Sequence, residues 1–365
     1  MTRESQPALK DWFDPERFRN IAGHLTEIYP GFDRAGFLKH SLAGLEELTL
    51  LQRLRRMTVA TRAALPLDYR DSLEVLRELA PRIDHSFVTL FLPDFVGLYG
   101  HDDVDDSMEA LKFFTRFGSS EFAIREFLKR DLKGTLKVMH RWSRDPDEHV
   151  RRLASEGCRP RLPWSFRLGE LIADPGPVLP ILENLKADPS LYVRKSVANH
   201  LNDISRDHPE VTLSTLGNWD RDHIHTAWIA KRALRTLIKQ GHRDALTLLG
   251  AGEAAKVRID GFRVSPAKVN LGEEIRMTLE MTSLSKKTQR LLIDYKIHYV
   301  KKAGGTSEKV FKWTEREIEP GDTLALEKRQ TIRDFSTRKH YAGQHKVEIM
   351  VNGETLAAGS FQLSL

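Results

Sequence analysis

Cysteine is almost missing from this sequence. Cys158 is the only cysteine among 365 residues, which excludes an intramolecular disulfide framework and a zinc site of the CxxC type. The sequence also lacks a run of about 18 apolar residues, and its amino terminus shows no basic and then apolar pattern ending in a cleavage site. We therefore expect neither a membrane span nor a secretory signal, and we expect the protein to act in the cytoplasm.

The signature motifs of several enzyme classes are also missing. The chain has no GxxxxGK(S/T) phosphate loop, no HExxH zinc helix and no GxSxG nucleophile elbow. Its 14 histidines are scattered, and His223 with His225 alone is a weak metal signal. The sequence therefore predicts no metal and no organic cofactor.

Charge of one sign is in small excess. The chain has 57 Lys and Arg against 51 Asp and Glu, a formal net charge of +6. Such an excess permits a polyanionic partner without requiring one, because evenly spread charge affects only solubility. Whether the chain binds a polyanion must therefore be judged from where the basic residues lie in the sequence.

The apolar pattern changes near residue 255. Upstream, apolar residues recur at i, i+3, i+4 and i+7, as in amphipathic helices, over residues 35–54, 72–79, 107–117 and 121–140. From Lys256 onward, seven short segments rich in β-branched and aromatic residues are separated by turn signals such as Asn352-Gly353. We predict a helical domain over residues 1–253 and an all-β, immunoglobulin-like sandwich over residues 254–365.

The helical part contains a weak internal repeat. Segments 119–125, 145–151 and 188–194 each begin with residues suited to cap a helix and end with an arginine, namely Arg125, Arg151 and Arg194. Asp followed by Pro is a strong helix start, because the carboxylate accepts from free N–H groups and proline suits the first turn. The pattern predicts a solenoid of HEAT-like helical repeats, in which neighbouring pairs cover each other's apolar faces.

Basic side chains cluster in the second half of this helical part. Guanidinium groups match phosphate oxygens, and recurring arginines after equivalent helix starts could line a concave surface. For any single arginine, a solvated face with a local ion pair is the simpler interpretation. The candidates for phosphate contact are Arg151, Arg152, Arg159, Arg161, Arg194, Lys195 and Lys231.

One polar row stands out on the predicted helix that ends before Pro209. Lys195, Asn199 and Asp203 follow each other at i, i+4 and i+8, opposite an apolar stripe. A carboxylate near the end of a helix faces the negative end of the helix dipole. Asp203 therefore needs a compensating reason, which is either a partner cation such as Lys195 or a functional role.

Two further residues have both a structural and a functional interpretation. Glu121 follows Ser119 and Ser120, which can cap a helix, so that an acidic residue in the first turn is favourable there. Trp164 lies between prolines in a predicted loop, where a tryptophan is usually an anchor for the core. Its arginine-rich surroundings make stacking or wedging against nucleic acid a competing role.

Several of these strings together carry a family resemblance. The chain reads RRLASEG from Arg151, RPRLPW from Arg159, PILE from Pro180 and YVRKSVANHLND from Tyr192. With GLEEL from Gly44, these strings resemble the AlkC branch of the AlkC/AlkD family of DNA glycosylases. The resemblance covers roughly residues 8 to 250, and the sandwich is similar to the immunoglobulin-like domain of some AlkC proteins.

The resemblance implies a bacterial base-excision repair enzyme. Such an enzyme would remove the cationic bases 3-methyladenine and 3-methylcytosine from duplex DNA without flipping the lesion into a pocket. By position, Glu121 and Asp203 match the family's catalytic carboxylates, and Trp164 matches the aromatic residue beside the lesion. We expect a monofunctional glycosylase that acts as a monomer, with alkylated double-stranded DNA as its partner.

Two alternatives stay open without the resemblance. Most helical solenoids are non-catalytic scaffolds, and a catalytically silent lesion sensor would use the same surface. For the sandwich, we expect DNA contact through the loop that carries Lys286 and Lys287 or through residues 337–340. A stabilising or protein-binding role is the alternative, because most immunoglobulin-like domains have one.

Overall fold

The computed structural model describes residues 8–335 and 338–365. The chain divides into two compact units. Of the described residues, one unit comprises 8–207 and 220–229, and the other comprises 208–219, 230–335 and 338–365. The predicted domain boundary between residues 253 and 254 stays a prediction.

Helices occupy the chain from residue 15 to residue 248, as the apolar periodicity predicts. They are α1 (Pro15–Ile28), α2 (Arg34–Leu42), α3 (Leu50–Ala64), α4 (Tyr69–Leu79), α5 (Phe91–Tyr99), α6 (Val104–Phe114), α7 (Ile124–Arg130), α8 (Leu132–Trp142), α9 (Glu148–Glu156), α10 (Gly169–Ala173), α11 (Leu179–Asn184), α12 (Leu191–Ile204), α13 (Pro209–Gly217), α14 (Ile224–Ala233), α15 (Arg235–Lys239) and α16 (Arg243–Leu248). Within the described residues, none of these helices combines the length and the apolar character of a membrane span.

Two predicted helices are wrong in their extent. Residues 35–54 form α2 and the start of α3, because the chain turns at Gly44 with a φ of 62°. Residues 121–140 form α7 and α8, which are separated at Asp131, and its carboxylate accepts from the Gly134 N–H at 2.9 Å. Both breaks use ordinary turn chemistry that a periodicity argument ignores.

The internal repeat has a shared hydrogen-bond pattern in two of its three copies. Arg151 Nη1 donates to the Asp145 and Pro146 carbonyls at 2.9 and 2.8 Å. Arg194 Nη1 donates to the Asp188 and Pro189 carbonyls at 2.8 and 2.7 Å. Each arginine therefore holds the turn that starts its own helix, α9 or α12. HEAT-like repeats followed by an immunoglobulin-like sandwich, as predicted, are the architecture of the chain.

Strands occupy the chain from residue 257 to its end. They are β1 (Val257–Ser265), β2 (Lys268–Asn270), β3 (Glu274–Ser283), β4 (Gln289–Val300), β5 (Thr306–Ile318), β6 (Thr323–Thr331), β7 (Gly343–Val351) and β8 (Glu354–Ser364). One sheet has the order β1-β3-β6 and the other β2-β8-β7-β4-β5. The seven predicted strands are present, and β2 was missed because three residues are too few to show alternation.

The two sheets share one apolar core. Alternate residues of β3, such as Met277 and Met281, and of β4, such as Ile293 and Ile297, are buried in one cluster. The turn between β7 and β8 is the predicted one, because Asn352 and Gly353 have φ angles of 47° and 82°. Positive φ at both central residues is what a type I′ hairpin turn requires.

Candidate active site

The predicted catalytic residues lie on three neighbouring parts of the helical repeats. Glu121 lies in the turn before α7, and Asp203 lies in the last turn of α12. Trp164 lies in the connection between α9 and α10, residues 157–168, which we call the tryptophan loop. Helix α9 packs against α8 and α12, and its Arg152 pairs with Glu121.

A continuous series of ion pairs connects the two predicted catalytic carboxylates. Glu121 pairs with Arg152, whose Nη2 lies 3.5 Å from Glu156 Oε1. Glu156 Oε1 lies 2.6 Å from Arg159 Nη1, and Arg159 Nε lies 2.8 Å from Asp203 Oδ2. We call these five residues the ion-pair chain. Its three carboxylates and two guanidinium groups leave one net negative charge.

Asp203 is the inner end of this chain. Asp203 is only 4% exposed. Burial raises the pKa of its carboxyl, although the hydrogen bond from Arg159 opposes the shift. One of the two explanations left open by the sequence was a partner cation, and the structure provides one, but it is not Lys195. Lys195 is exposed, and two residues eight positions apart lie about 12 Å apart along a helix. The compensating cation is Arg159, which approaches from the tryptophan loop.

Glu121 is the outer end of the chain. Ser119 and Ser120 do not cap α7, since that helix begins after Ala123 without a side-chain cap. Ser119 Oγ instead donates to Glu121 Oε2 at 2.9 Å and accepts from Arg152 Nη1 at 2.8 Å. The Arg152 guanidinium also lies 5.1 Å from the centre of the Tyr192 ring, within cation–π range. Glu121 is therefore oriented by a serine and an arginine that are themselves fixed.

Glu156 is a central residue that the sequence analysis missed. Burial would raise the pKa of its carboxyl, but the guanidinium groups of Arg152 and Arg159 lower it below its usual range. Glu156 therefore stays ionised and separates two like charges. Its spacing gave a signal, because it lies i+4 from Arg152 and i−3 from Arg159, the separations at which helical side chains meet.

Trp164 has a backbone conformation that a bulky residue rarely adopts. Its φ is 65°, and the residue is 61% exposed. The indole touches Phe87 edge to face with ring centres 6.2 Å apart. An open cavity of about 210 Å³ lies beside it, lined also by Phe122 and Phe166. A strained and exposed tryptophan is a functional candidate, because neither its backbone nor its burial favours stability.

Replacing this tryptophan separates backbone strain from side-chain function. Trp164→Gly is expected to be more stable than Trp164→Ala by about 1 kcal/mol, since glycine tolerates positive φ and alanine does not. Urea unfolding of both variants measures the difference. Equal stabilities would mean that the loop relaxes and that the conformation at residue 164 is not imposed by its surroundings.

The candidate phosphate-binding residues fall into two groups. The guanidinium groups of Arg151, Arg152, Arg159, Arg161 and Arg194 have partners within the protein, for example the bidentate pair of Arg161 with Asp207 at 3.0 and 2.9 Å. Lys231 Nζ likewise lies 2.5 Å from Glu315 Oε2. Asn199 is half-buried, whereas Lys195, Lys286 and Lys287 are exposed.

The exposed lysines of the sandwich line a second cavity. Lys286 and Lys287 share an open space of about 860 Å³ with Lys256 and Arg290. Among residues 8–335 and 338–365, no three His, Cys, Asp or Glu side chains are grouped so that they could hold a metal ion. The ion-pair chain offers carboxylates that are held by guanidinium groups.

Known proteins are similar to this chain over nearly its whole length. The family model described as "Uncharacterised protein YhaZ, C-terminal Ig-like domain" matches residues 258–365. The protein YhaZ of Bacillus subtilis (strain 168) is 41% identical over 97% of this chain and 99% of its own length. The structure of the alkylpurine DNA glycosylase AlkC of Pseudomonas fluorescens, bound to DNA with an abasic site analog, is 53% identical with a TM-score of 0.96. That match covers 98% of this chain and 100% of the other.

Proposed function

Because the chain belongs to the family of the alkylpurine DNA glycosylase AlkC and of YhaZ, we propose that it is a DNA glycosylase for alkylated bases. Its substrates are the cationic bases 3-methyladenine and 3-methylcytosine in duplex DNA. The ion-pair chain carries this proposal, since it holds two oriented carboxylates where a cationic reaction centre would be stabilised.

The reaction breaks the N-glycosidic bond of a base that already carries positive charge. The bonding electron pair leaves with the base, which departs neutral, and the positive charge moves onto the deoxyribose. Because alkylation already makes the base a cationic leaving group, the base does not need to be protonated by an acid catalyst. What remains for the protein is to stabilise the cationic sugar and to direct a water molecule to it.

We assign the stabilisation of the cationic sugar and the orientation of the attacking water to Asp203 and Glu121. A carboxylate that is fixed before the reaction stabilises a developing cation without reorganising, and the surrounding low dielectric strengthens the effect. Arg159 holds Asp203, and Ser119 with Arg152 holds Glu121. Water that attacks the sugar forms the new C–O bond and passes its proton to a carboxylate or to bulk water.

Trp164 faces the lesion with its indole. An aromatic face beside a cationic base or sugar contributes about 0.5 to 2 kcal/mol by a cation–π interaction. The exposure of this side chain supports contact with a nucleotide that stays in the duplex, without base flipping. The same position would let the indole act as a wedge in the minor groove.

Phosphate contacts set the register of the duplex. Lys195 and Asn199 on α12 and the lysines of the sandwich loop can reach phosphates directly. The arginines with internal partners would contribute their remaining N–H groups. The full proposed set is Arg151, Arg152, Arg159, Arg161, Arg194, Lys195, Asn199, Lys231, Lys286 and Lys287.

The sandwich loop offers a direct test of DNA contact. The double variant Lys286→Glu, Lys287→Glu is expected to weaken duplex binding and to lower the slope of log affinity against log salt by about 2, one for each lost phosphate contact. The matched control is Lys301→Glu, Lys302→Glu in the exposed β4–β5 turn. Equal losses in both variants would reduce the effect to net charge and would favour a structural role for the sandwich.

Product analysis separates the enzyme from a non-catalytic scaffold or a lesion sensor. We expect free base and an intact strand with an abasic site, which breaks only on alkali treatment. A lyase step would require an amine nucleophile, and none of the three proposed catalytic residues carries an amine. Binding of lesion DNA without release of base would favour the sensor. We further propose that the protein acts as a monomer on DNA in the bacterial cytoplasm.

A further inference from the structure

Arg125 occupies in its repeat the place that Arg151 and Arg194 occupy in theirs. Those two arginines donate to the carbonyls five and six residues upstream, within their own turns. Arg125 makes no such local bond among the described residues. Its hydrogen bonds reach 32 to 41 residues along the chain instead. Arg125 therefore has the same position in the repeat as Arg151 and Arg194, but in this copy, which carries Glu121, the arginine binds a distant loop and not its own turn.

The new partners of Arg125 are three carbonyls of the tryptophan loop. Nη1 donates to the Gly157 carbonyl at 2.9 Å and to the Arg159 carbonyl at 2.7 Å, and Nη2 donates to the Phe166 carbonyl. The guanidinium also lies 5.3 Å from the centre of the Phe166 ring. One side chain therefore ties the beginning and the end of the loop to the start of α7.

This arrangement is costly for stability alone. Arg125 is 0% exposed, and among residues 8–335 and 338–365 it forms no ion pair within 4.0 Å. Burial lowers the pKa of its guanidinium to about 10. A buried charge without a contacting counterion is unfavourable, and a local tie like that of Arg151 would avoid it. The compensating benefit must come from the residues that the tryptophan loop positions.

The loop holds two parts of the proposed active site. Arg159, whose carbonyl Arg125 binds, carries the guanidinium that pairs with Asp203. Trp164 lies between the tied ends, and its positive φ persists only if the surroundings impose it. The loop itself has no helix or strand over residues 157–168. Arg125 supplies the restraint that regular secondary structure would otherwise give.

We propose that Arg125 is a positioning residue for the glycosylase reaction, which places Trp164 and Arg159 by holding the tryptophan loop. This inference rests on the proposed function. Because a misplacement of about 1 Å can cost about 10²-fold in rate, loss of the tie slows the chemical step more than it weakens DNA binding. Lysine at this position reaches one carbonyl and cannot span three.

The kinetic test compares Arg125→Lys and Arg125→Gln with Arg53→Lys. Arg53 is the control for a buried arginine, because it is 1% exposed and donates to the Lys10, Phe13 and Leu48 carbonyls outside the site. Unlike Arg125, it also pairs with Glu46 and Asp11, at 3.2 and 3.9 Å. Single-turnover release of 3-methyladenine at saturating protein is expected to fall at least tenfold in both Arg125 variants. Affinity for abasic-site DNA is expected to stay within about threefold. The glutamine variant covers the case in which a buried lysine prevents folding.

A spectroscopic test reports on the loop without any activity. In protein labelled with 5-fluorotryptophan, the ¹⁹F resonance of Trp164 is the one of six that Trp164→Phe removes. That resonance is expected to shift or broaden in the Arg125 variants and to stay unchanged in Arg53→Lys. An unchanged Trp164 resonance, or a rate loss matched by Arg53→Lys, would overturn the inference. Inactive wild-type protein would refute the proposed function instead, while the ¹⁹F result would still decide the role of Arg125.

Discussion

Asp203→Asn is expected to slow base release at saturating protein by about 10²-fold or more, a loss comparable to that from removing one group that stabilises charge in a transition state. The amide keeps the shape of the side chain and can still contact Arg159, so affinity for abasic-site DNA should change little. The negative charge that we propose to stabilise the cationic sugar is gone. Single-turnover kinetics and equilibrium binding, measured on the same preparation, separate the two effects.

Asp294→Asn is the control for neutralising a buried aspartate. Asp294 lies on β4, outside the ion-pair chain, and burial raises the pKa of its carboxyl to about 6. This variant should keep the wild-type rate. In the wild type, the rate should rise with pH as Asp203 loses its proton, with a midpoint above that of an ordinary aspartate. A wild-type rate in Asp203→Asn would remove this carboxylate from the mechanism.

Glu156→Ala is expected to lower the free energy of unfolding by about 3 to 5 kcal/mol, the range for breaking a buried ion pair on one side. Arg152 and Arg159 would remain next to each other, largely buried, without the anion between them. Urea unfolding at neutral pH measures the change. Because the pKa of Glu156 is lowered in the folded protein, its stabilisation is present at neutral pH and is lost as the pH falls through that pKa.

Glu74→Ala serves as the control on the exposed face of α4. Glu74 lies 3.5 Å from Arg77 one turn away, and its side chain is mostly in solvent. Its removal should cost no more than about 0.5 kcal/mol. If Glu156→Ala were as mild, water or a rearranged arginine would have to replace the carboxylate, and the ion-pair chain would not be a rigid unit.

The fold could be predicted from periodicity and turn chemistry. Amphipathic spacing located part of the helices, such as α4, α6 and α12, and alternation located every strand longer than three residues. The Asn352-Gly353 turn followed from the φ angles that such a hairpin demands. Where the prediction failed, as at Gly44 and Asp131, a single residue ended a helix inside an otherwise continuous apolar pattern.

The site could be predicted only in part. The family resemblance pointed to Glu121, Trp164 and Asp203. In the structure, Glu121 and Asp203 are the two ends of one ion-pair chain. A helical projection offered Lys195 as one possible partner of Asp203, whereas the observed partner, Arg159, comes from a loop without periodicity. Arg125 looked equivalent to its counterparts in the repeat, and only tertiary contacts reveal the difference.

The most direct test is release of free base from duplex DNA that carries a single 3-methyladenine or 3-methylcytosine. Wild-type protein is expected to release the base and to leave an intact strand with an abasic site. Asp203→Asn, assayed beside it, is expected to bind the duplex and release almost none. Tight binding of the lesion duplex by the wild type without any release of base would contradict the account and would favour a lesion sensor.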